Sequence, residues 1–295
     1  MKNKKILLII TILFIITTII IGVKNIKHIV IIQLSNQSHR QMMGYIIKTE
    51  NEKLIIIDGG TTDDTENLVN QINKNGSKVD YWFITHAHDD HAGAFTEIVN
   101  NTDIEIKNVY ISLNDFSWYE QNELARAEFS KKLIDIVKLG RIKDVVHEPS
   151  VNEKFKIDNL NVEILGIRNP EITENAGNEQ SMVIKFNTNK SSLLILGDTG
   201  VQSSKKLLDT QKDKLKSDIV QMAHHGQAGA TKELYEAISP KVCLWPTPEW
   251  LWNNDNGSGY NSGDWKTIET RKWMKDLGVI KNYVEKDGDI SIWIE

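Results

Sequence analysis

Three short polar clusters, each following an apolar run, constrain this chain more than any other feature. Tyr81-Trp82-Phe83-Ile84-Thr85 leads into His86-Ala87-His88-Asp89-Asp90-His91. Leu193-Leu194-Ile195-Leu196 leads into Gly197-Asp198-Thr199-Gly200, and Asp218-Ile219-Val220-Gln221-Met222 leads into Ala223-His224-His225-Gly226. Apolar runs of this length read as buried strands. Loops beyond the carboxyl ends of strands are where a rigid sheet aims its ligand-binding groups. Five of the eight histidines fall in these clusters, too many for random surface placement.

The residue types define the chemistry. In an extended turn His86 and His88 point to one side as a pair, while Asp90 and His91 face a second point close by. Imidazole and carboxylate suit zinc, iron or manganese, and two adjacent sites need a carboxylate that touches both ions. Asp198 is the natural bridge and His225 the natural completion of the second site. The single cysteine, Cys243, excludes a disulfide scaffold and any thiolate-rich zinc or iron–sulfur cage.

Strand-like runs recur at 28–34, 44–48, 54–58, 81–85, 108–112, 162–165, 182–186, 193–196, 218–222, 242–245 and 289–294. Helical spacing appears over 65–74, 92–99, 118–139, 203–210, 231–238 and 265–277. Strands outnumber helices, and early strands follow one another directly. That order predicts stacked sheets with helices outside rather than a simple doubly wound sheet. No repeat or Pro/Ser-rich linker divides the chain, so one domain is expected over 27–295. At 40% hydrophobic residues it can close a sizeable core.

Residues 1–26 are a separate segment. The run from Ile6 to Val23 is uncharged and flanked by Lys5 and Lys24. As a helix it would reach roughly 27 Å, close to the thickness of a bilayer's hydrocarbon layer. It is longer than a usual signal-peptide core and no small-residue cleavage site follows, so a retained anchor is favoured over a cleaved signal peptide. Lys2, Lys4 and Lys5 precede it, a bias that keeps the N-terminus cytoplasmic and places the domain outside the cell membrane. Without the four lysines of the first 24 residues, 31 Lys+Arg face 40 Asp+Glu, a net charge near −9. So acidic a body is a poor general binder of nucleic-acid backbones.

The His86–His91 cluster, in the pattern HxHxDH, resembles the signature of the metallo-β-lactamase-fold hydrolase superfamily. The likeness extends over nearly all of 28–295, through Leu54-Ile55-Ile56-Ile57-Asp58-Gly59-Gly60, the Gly197-Asp198 turn and the final His-Gly. It implies an α/β fold, a four-layer αββα sandwich with a dinuclear metal site at one edge. Asn178-Glu179-Gln180-Ser181-Met182-Val183, followed by Gly197-Asp198 and His224-His225-Gly226, looks like one branch. That branch includes ComEC-type hydrolase domains and teichoic-acid phosphorylcholine esterases. The resemblance implies that His86 and His88 bind the first metal and that Asp90, His91 and His225 bind the second. Asp198 would bridge. Zinc is the favoured ion and manganese the alternative.

One position departs from the family pattern. Where many members carry a further metal-binding His before the bridging Asp, this chain has Asn178. Asp58 reads either as an outer support for a metal-bound His or as a turn residue before Gly59-Gly60. His147 reads as an exposed surface residue, and His28 and His39 as structural ones.

The resemblance implies hydrolysis by hydroxide made available near neutral pH by the two ions. Asp90 would orient the nucleophile as well as bind metal, and His224 would either stabilise the departing charge or pack beside the site. The stretch 243–265 holds four of the eight tryptophans among Gly, Asn and Asp. It reads as a loop anchored by its own aromatics, or as a wall that stacks on a sugar or a quaternary ammonium. The expected activity is an extracytoplasmic phosphodiesterase or phosphoesterase acting on a small or cell-surface phosphorylated substrate. A nuclease for extracellular DNA and a carbonyl hydrolase of lactonase or β-lactamase type are the alternatives.

Overall fold

Leu54, Ile55, Ile56 and Ile57 are each at most 1% exposed, and a strand with no polar face must be covered on both sides. The computed structural model describes residues 28–227 and 229–294, and there these four residues lie inside a seven-stranded sheet. Its antiparallel part begins with β1 (Ile29–Gln33), β2 (Gly44–Lys48) and β3 (Leu54–Asp58). The short β4 (Lys78–Val79) pairs with β6 (Glu105–Ile106), while β5 (Tyr81–Ile84), β7 (Val109–Ile111) and β8 (Val146–His147) continue the main sheet in parallel.

The second sheet repeats this plan. β9 (Lys154–Ile157), β10 (Leu160–Gly166), β11 (Val183–Asn187) and β12 (Ser192–Ile195) are antiparallel. β13 (Ile219–Gln221), β14 (Val242–Trp245) and β15 (Lys281–Val284) then add in parallel. The last strand, β16 (Ile290–Ile294), returns to the first sheet beside β1.

Alternate side chains sort the core into layers. Ile55 and Ile57 of β3, with Phe83, Ile164, Phe186, Leu193 and Ile195, fill the space between the sheets. Leu54 and Ile56 face outward against α1 (Thr65–Lys74) and α2 (Asp89–Asn101) through Leu68, Ile72, Phe95 and Ile98. The same outer layer holds α3 (Phe116–Asn122) and α4 (Ala127–Leu139), through Tyr119, Leu133 and Ile136. Across the molecule α5 (Val201–Leu215), α6 (Lys232–Ile238), the short α7 (Glu249–Trp252) and α8 (Thr267–Asp276) cover the second sheet. Each buried aliphatic side chain contributes about 1.5–3 kcal/mol, and the helix–sheet–sheet–helix order expected from the sequence is the one observed.

Two differences from the sequence reading have physical causes. Strands β9 and β15 went unrecognised because they lie at a sheet edge, where Lys154, Lys156, Lys281 and Asn282 are exposed and no apolar run forms. The single helix expected over 118–139 is broken, with a 3-10 turn at Leu124–Arg126 between α3 and α4. The membrane segment expected within 1–26 lies outside the described residues, and among those described no helix is long and apolar enough to cross a membrane.

In the first sheet the switch from antiparallel to parallel pairing falls at β3 and β5, and in the second at β12 and β13. The carboxyl ends of these four strands carry Asp58, the His86–His91 cluster, Asp198 and His224-His225.

Candidate metal centre

The three clusters meet. His86, His88 and Asp198 form one group of potential metal ligands, and Asp90, His91 and His225 form a second. Within each group the ligand atoms lie within 4.8 Å of one another. Asp198 spans both: its Oδ1 is 3.2 Å from His91 Nε2, and its Oδ2 is 3.9 Å from His86 Nε2 and 3.6 Å from His225 Nε2. Asp90 Oδ2 is 3.3 Å from His225 Nε2. All six residues are buried.

The chain's own hydrogen bonds decide which ring nitrogen faces inward. His91 Nδ1 donates to Asp58 Oδ2 (2.7 Å) and His225 Nδ1 to the Pro246 carbonyl (2.8 Å). His86 Nδ1 meets Thr85 Oγ1 (3.1 Å) and Ser181 Oγ (3.4 Å). An imidazole whose outer N–H is engaged presents its other nitrogen as a lone pair. The inner atoms, Nε2 of His86, His91 and His225 and Oδ1 of Asp198, are buried without a hydrogen-bond partner among the described residues. Leaving such atoms unpaired costs about 1–3 kcal/mol each. Their convergence as imidazole nitrogens and carboxylate oxygens fits a pair of divalent cations.

Electrostatics agree with that fit. Burial would raise the Asp90 carboxyl, but the imidazoles of His225, His91 and His88 outweigh it and hold it well below the usual range. Burial would likewise raise Asp198, and His91 and His225 hold it well below its usual value. Burial opposes charge on His91 and His225, yet the carboxylates around them win, so both are raised. His86 is pushed well down by burial and by its neighbours His91 and His88.

Local backbone delivers these side chains. His88 is the N-cap of α2, so Asp90 and His91 occupy its first turn, where the helix dipole favours an anionic carboxylate. His224 and His225 both have positive φ, 50° and 56°, conformations that cost about 1–3 kcal/mol each and persist where surrounding structure enforces them. That enforcement comes from Thr247 Oγ1, which donates to the His225 carbonyl (2.7 Å), and from His224 N–H, which donates to the Gly197 carbonyl (3.1 Å). Asp58 has the geometry that either reading needs: φ is 56°, and its carboxylate accepts from Thr85 N and Oγ1, each at 2.7 Å, as well as from His91.

His225 sits with Asp90 and His91, while His224 turns aside, half-buried, with Nε2 3.3 Å from Asn178 Nδ2. His147 is exposed beside Asn108, and His39 is exposed with its carbonyl accepting from Trp250. The aromatic stretch is held largely by its own contacts. Trp245 is fully buried and packs edge-on against Trp252, Trp250 packs against Trp265, and the cation over Trp252 is the chain's own Arg271, 4.0 Å away.

Two residues at the centre lie in no motif. Glu123 Oε1 is 2.6 Å from His88 Nε2. Arg126 Nη1 is 2.8 Å from Asp89 Oδ1 and 3.4 Å from Asp90 Oδ1. Both belong to the turn that breaks the expected helix, and only that break would have signalled them.

The fold and the paired His/Asp groups together define a metal-dependent hydrolase. The family model described as the Metallo-beta-lactamase superfamily matches residues 43–242, and the chain belongs to that superfamily. No curated protein matches it in sequence. Among solved structures it is similar to YhfI, a metallo-beta-lactamase fold protein from Bacillus subtilis, with a TM-score of 0.53 and 11% identity over 90% of this chain and 100% of that one. It is also similar to CmlA, a diiron beta-hydroxylase from Streptomyces venezuelae, with a TM-score of 0.53 and 10% identity over 91% of this chain. The match spans 54% of the CmlA chain. At these identities the likeness is one of fold.

Proposed function

We propose that this protein is an extracytoplasmic phosphodiesterase or phosphoesterase, anchored in the cell membrane by residues 1–26, that cleaves a small or cell-surface phosphorylated substrate at a two-metal centre in a domain spanning 27–295. The observation that carries the reading is the placement of Asp198, whose two oxygens face the imidazoles of both ligand groups. His86, His88 and Asp198 would hold the first ion, and Asp90, His91, His225 and Asp198 the second. Two divalent ions, zinc or manganese, if bound there, would make hydroxide available near neutral pH and would polarise phosphoryl oxygens.

The chain's own residues do the remainder. Asp90 would accept a hydrogen bond from the attacking water or hydroxide and orient it. Arg126, beside Asp90 and 40% exposed at the side chain, offers an incoming anionic group a guanidinium, the donor best matched to phosphate oxygens. His224, half-buried beside Asn178, stabilises the departing oxygen's charge. Resemblance to ComEC-type and phosphorylcholine-esterase domains supports a phosphorus centre over a carbonyl one. Since Arg271 already covers Trp252, the favoured substrate is an anionic phosphodiester rather than a choline ester specifically.

The test is a substrate panel on the full-length protein in detergent with zinc or manganese. It compares a bis-aryl phosphodiester, p-nitrophenyl-phosphorylcholine, linear DNA and nitrocefin. Turnover of the small phosphodiester is expected. Nitrocefin cleavage with inert phosphodiesters would overturn the reading, and degradation of DNA alone would replace it with the nuclease.

A further inference from the structure

Each ligating imidazole has an outer partner, but only two of those partners are carboxylates. Asp58 holds His91 of the second group, and Glu123 holds His88 of the first. The Glu123 contact is short and sheltered: His88 Nε2 donates to Glu123 Oε1 at 2.6 Å, with the two side chains 6% and 14% exposed. With Nε2 engaged, Nδ1 is the nitrogen His88 has left for a metal. The ring is therefore used the opposite way round from His86, His91 and His225.

The chain bends to make this contact. Residues 116–139 contain no Gly or Pro, yet the helix stops at Asn122 and Glu123 adopts φ −149°, ψ 51°. Glu123 N–H still donates to the Tyr119 carbonyl (2.8 Å), and the Glu123 carbonyl accepts from Arg126 N–H (3.0 Å), so the turn is tied on both sides. Gly177 makes room, because a Cβ there would run into Glu123 Oε1 and His88 Nε2 together. Three residues on, Arg126 reaches Asp89 and Asp90. One turn thus braces both ligand groups.

We propose that Glu123 is the positioning residue of the first metal, fixing the His88 ring with Nδ1 inward and strengthening it as a donor. The inference rests on the two-metal reading of the site. Its chemical reason is the small donor set of the first group, two imidazoles and Asp198, in a chain with Asn178 at the position where the family resemblance would lead one to expect a further His. A carboxylate on the outer N–H of a ligating His raises its basicity and fixes its tautomer, and losing such a partner typically weakens metal affinity ten- to a hundred-fold.

The experiment is a titration of metal-stripped full-length protein in detergent with Zn²⁺ by calorimetry and with Co²⁺ by visible absorption. Wild type is expected to bind two ions. Glu123→Ala should weaken one site about ten- to a hundred-fold and shift that site's Co²⁺ bands while sparing the other. Glu123→Gln, which retains an acceptor but not the charge, should fall between. An unchanged melting temperature of the stripped protein would separate positioning from loss of fold. Should Glu123→Ala misfold, Glu123→Asp keeps the charge but draws the carboxylate back from His88 and should give the same selective loss. Two ions bound by Glu123→Ala with wild-type affinity and spectrum would overturn the inference alone. A wild-type protein that bound no ion would overturn the two-metal reading with it.

Discussion

His91 Nε2 stands 3.2 Å from Asp198 Oδ1, and neither side chain is more than 2% exposed. Two lone pairs that close, away from water, repel unless a proton or a cation lies between them. Burial opposes charge on His91, yet the carboxylates of Asp198 and Asp58 outweigh it and hold the imidazole well above its usual range; a divalent cation between the two atoms would relieve the same repulsion. Since Asp198 also faces His86 and His225, its removal should cost more than one ion. Asp198→Ala is expected to hold fewer than one equivalent of metal by elemental analysis and to hydrolyse at background. Retention of two equivalents would contradict the bridging role.

The bond from His91 to Asp58 makes a separate expectation. Asp58→Asn keeps the volume but cannot accept from His91 and both Thr85 donors as a carboxylate does. Affinity at the second site should fall about ten- to a hundred-fold, read by competition with a chelating dye. Unaltered affinity would reduce Asp58 to a turn residue.

Metal should stabilise the fold, and the gain should depend on pH. A ligand present at 100 times its Kd adds about 2.7 kcal/mol. His91 and His225 have raised values, so as pH falls through them protons compete with metal for the same nitrogens. The rise in Tm on adding zinc should therefore be largest at mildly alkaline pH and shrink towards acid. A gain that grew on acidification would count against imidazole ligation.

Glu285 gives a pH effect of opposite origin. It is fully buried; its Oε1 accepts from Asn36 N–H (3.1 Å), and its Oε2 has no hydrogen-bond partner among the described residues. Burial pushes its carboxyl well above the usual range, and the Asn36 bond offsets this only in part. A raised folded-state pKa contributes stability below the unfolded value, about 4.3, and that contribution is lost as pH rises through the folded one. Glu285→Gln should thus melt above wild type at neutral pH, with the gap closing in acid. A lower Tm than wild type at neutral pH would show that the ionised carboxylate is stabilising.

The turn that aims His225 should tolerate little change. Gly226 has φ 77°, and a Cβ there would meet the Trp245 ring. Gly226→Ala is expected to lose about 2–4 kcal/mol in chemical denaturation, from backbone strain and overpacking together. A loss below about 0.5 kcal/mol, the size of an ordinary surface substitution, would show the turn to be pliable.

The layers and most of the site were legible because both rest on strong local patterns. Runs such as Leu54–Ile57 announce doubly covered strands, and the polar clusters that follow β5, β12 and β13 carry the candidate ligands with them. What stayed hidden depends on tertiary contact. β9 and β15 have edge-strand compositions without an apolar run. The break at Glu123 carries no helix-stopping residue, because a contact with His88, 35 positions away in sequence, holds it in place. The aromatic content of 243–265 was visible, but not that Arg271 would lie over Trp252.

The most direct test of the two-metal centre is anomalous diffraction from crystals of the zinc-loaded protein. Two peaks are expected, one among His86, His88 and Asp198 and the other among Asp90, His91, His225 and Asp198, with the Asp198 carboxylate between them. A single peak that Asp198 does not share, or no peak at these side chains, would contradict it.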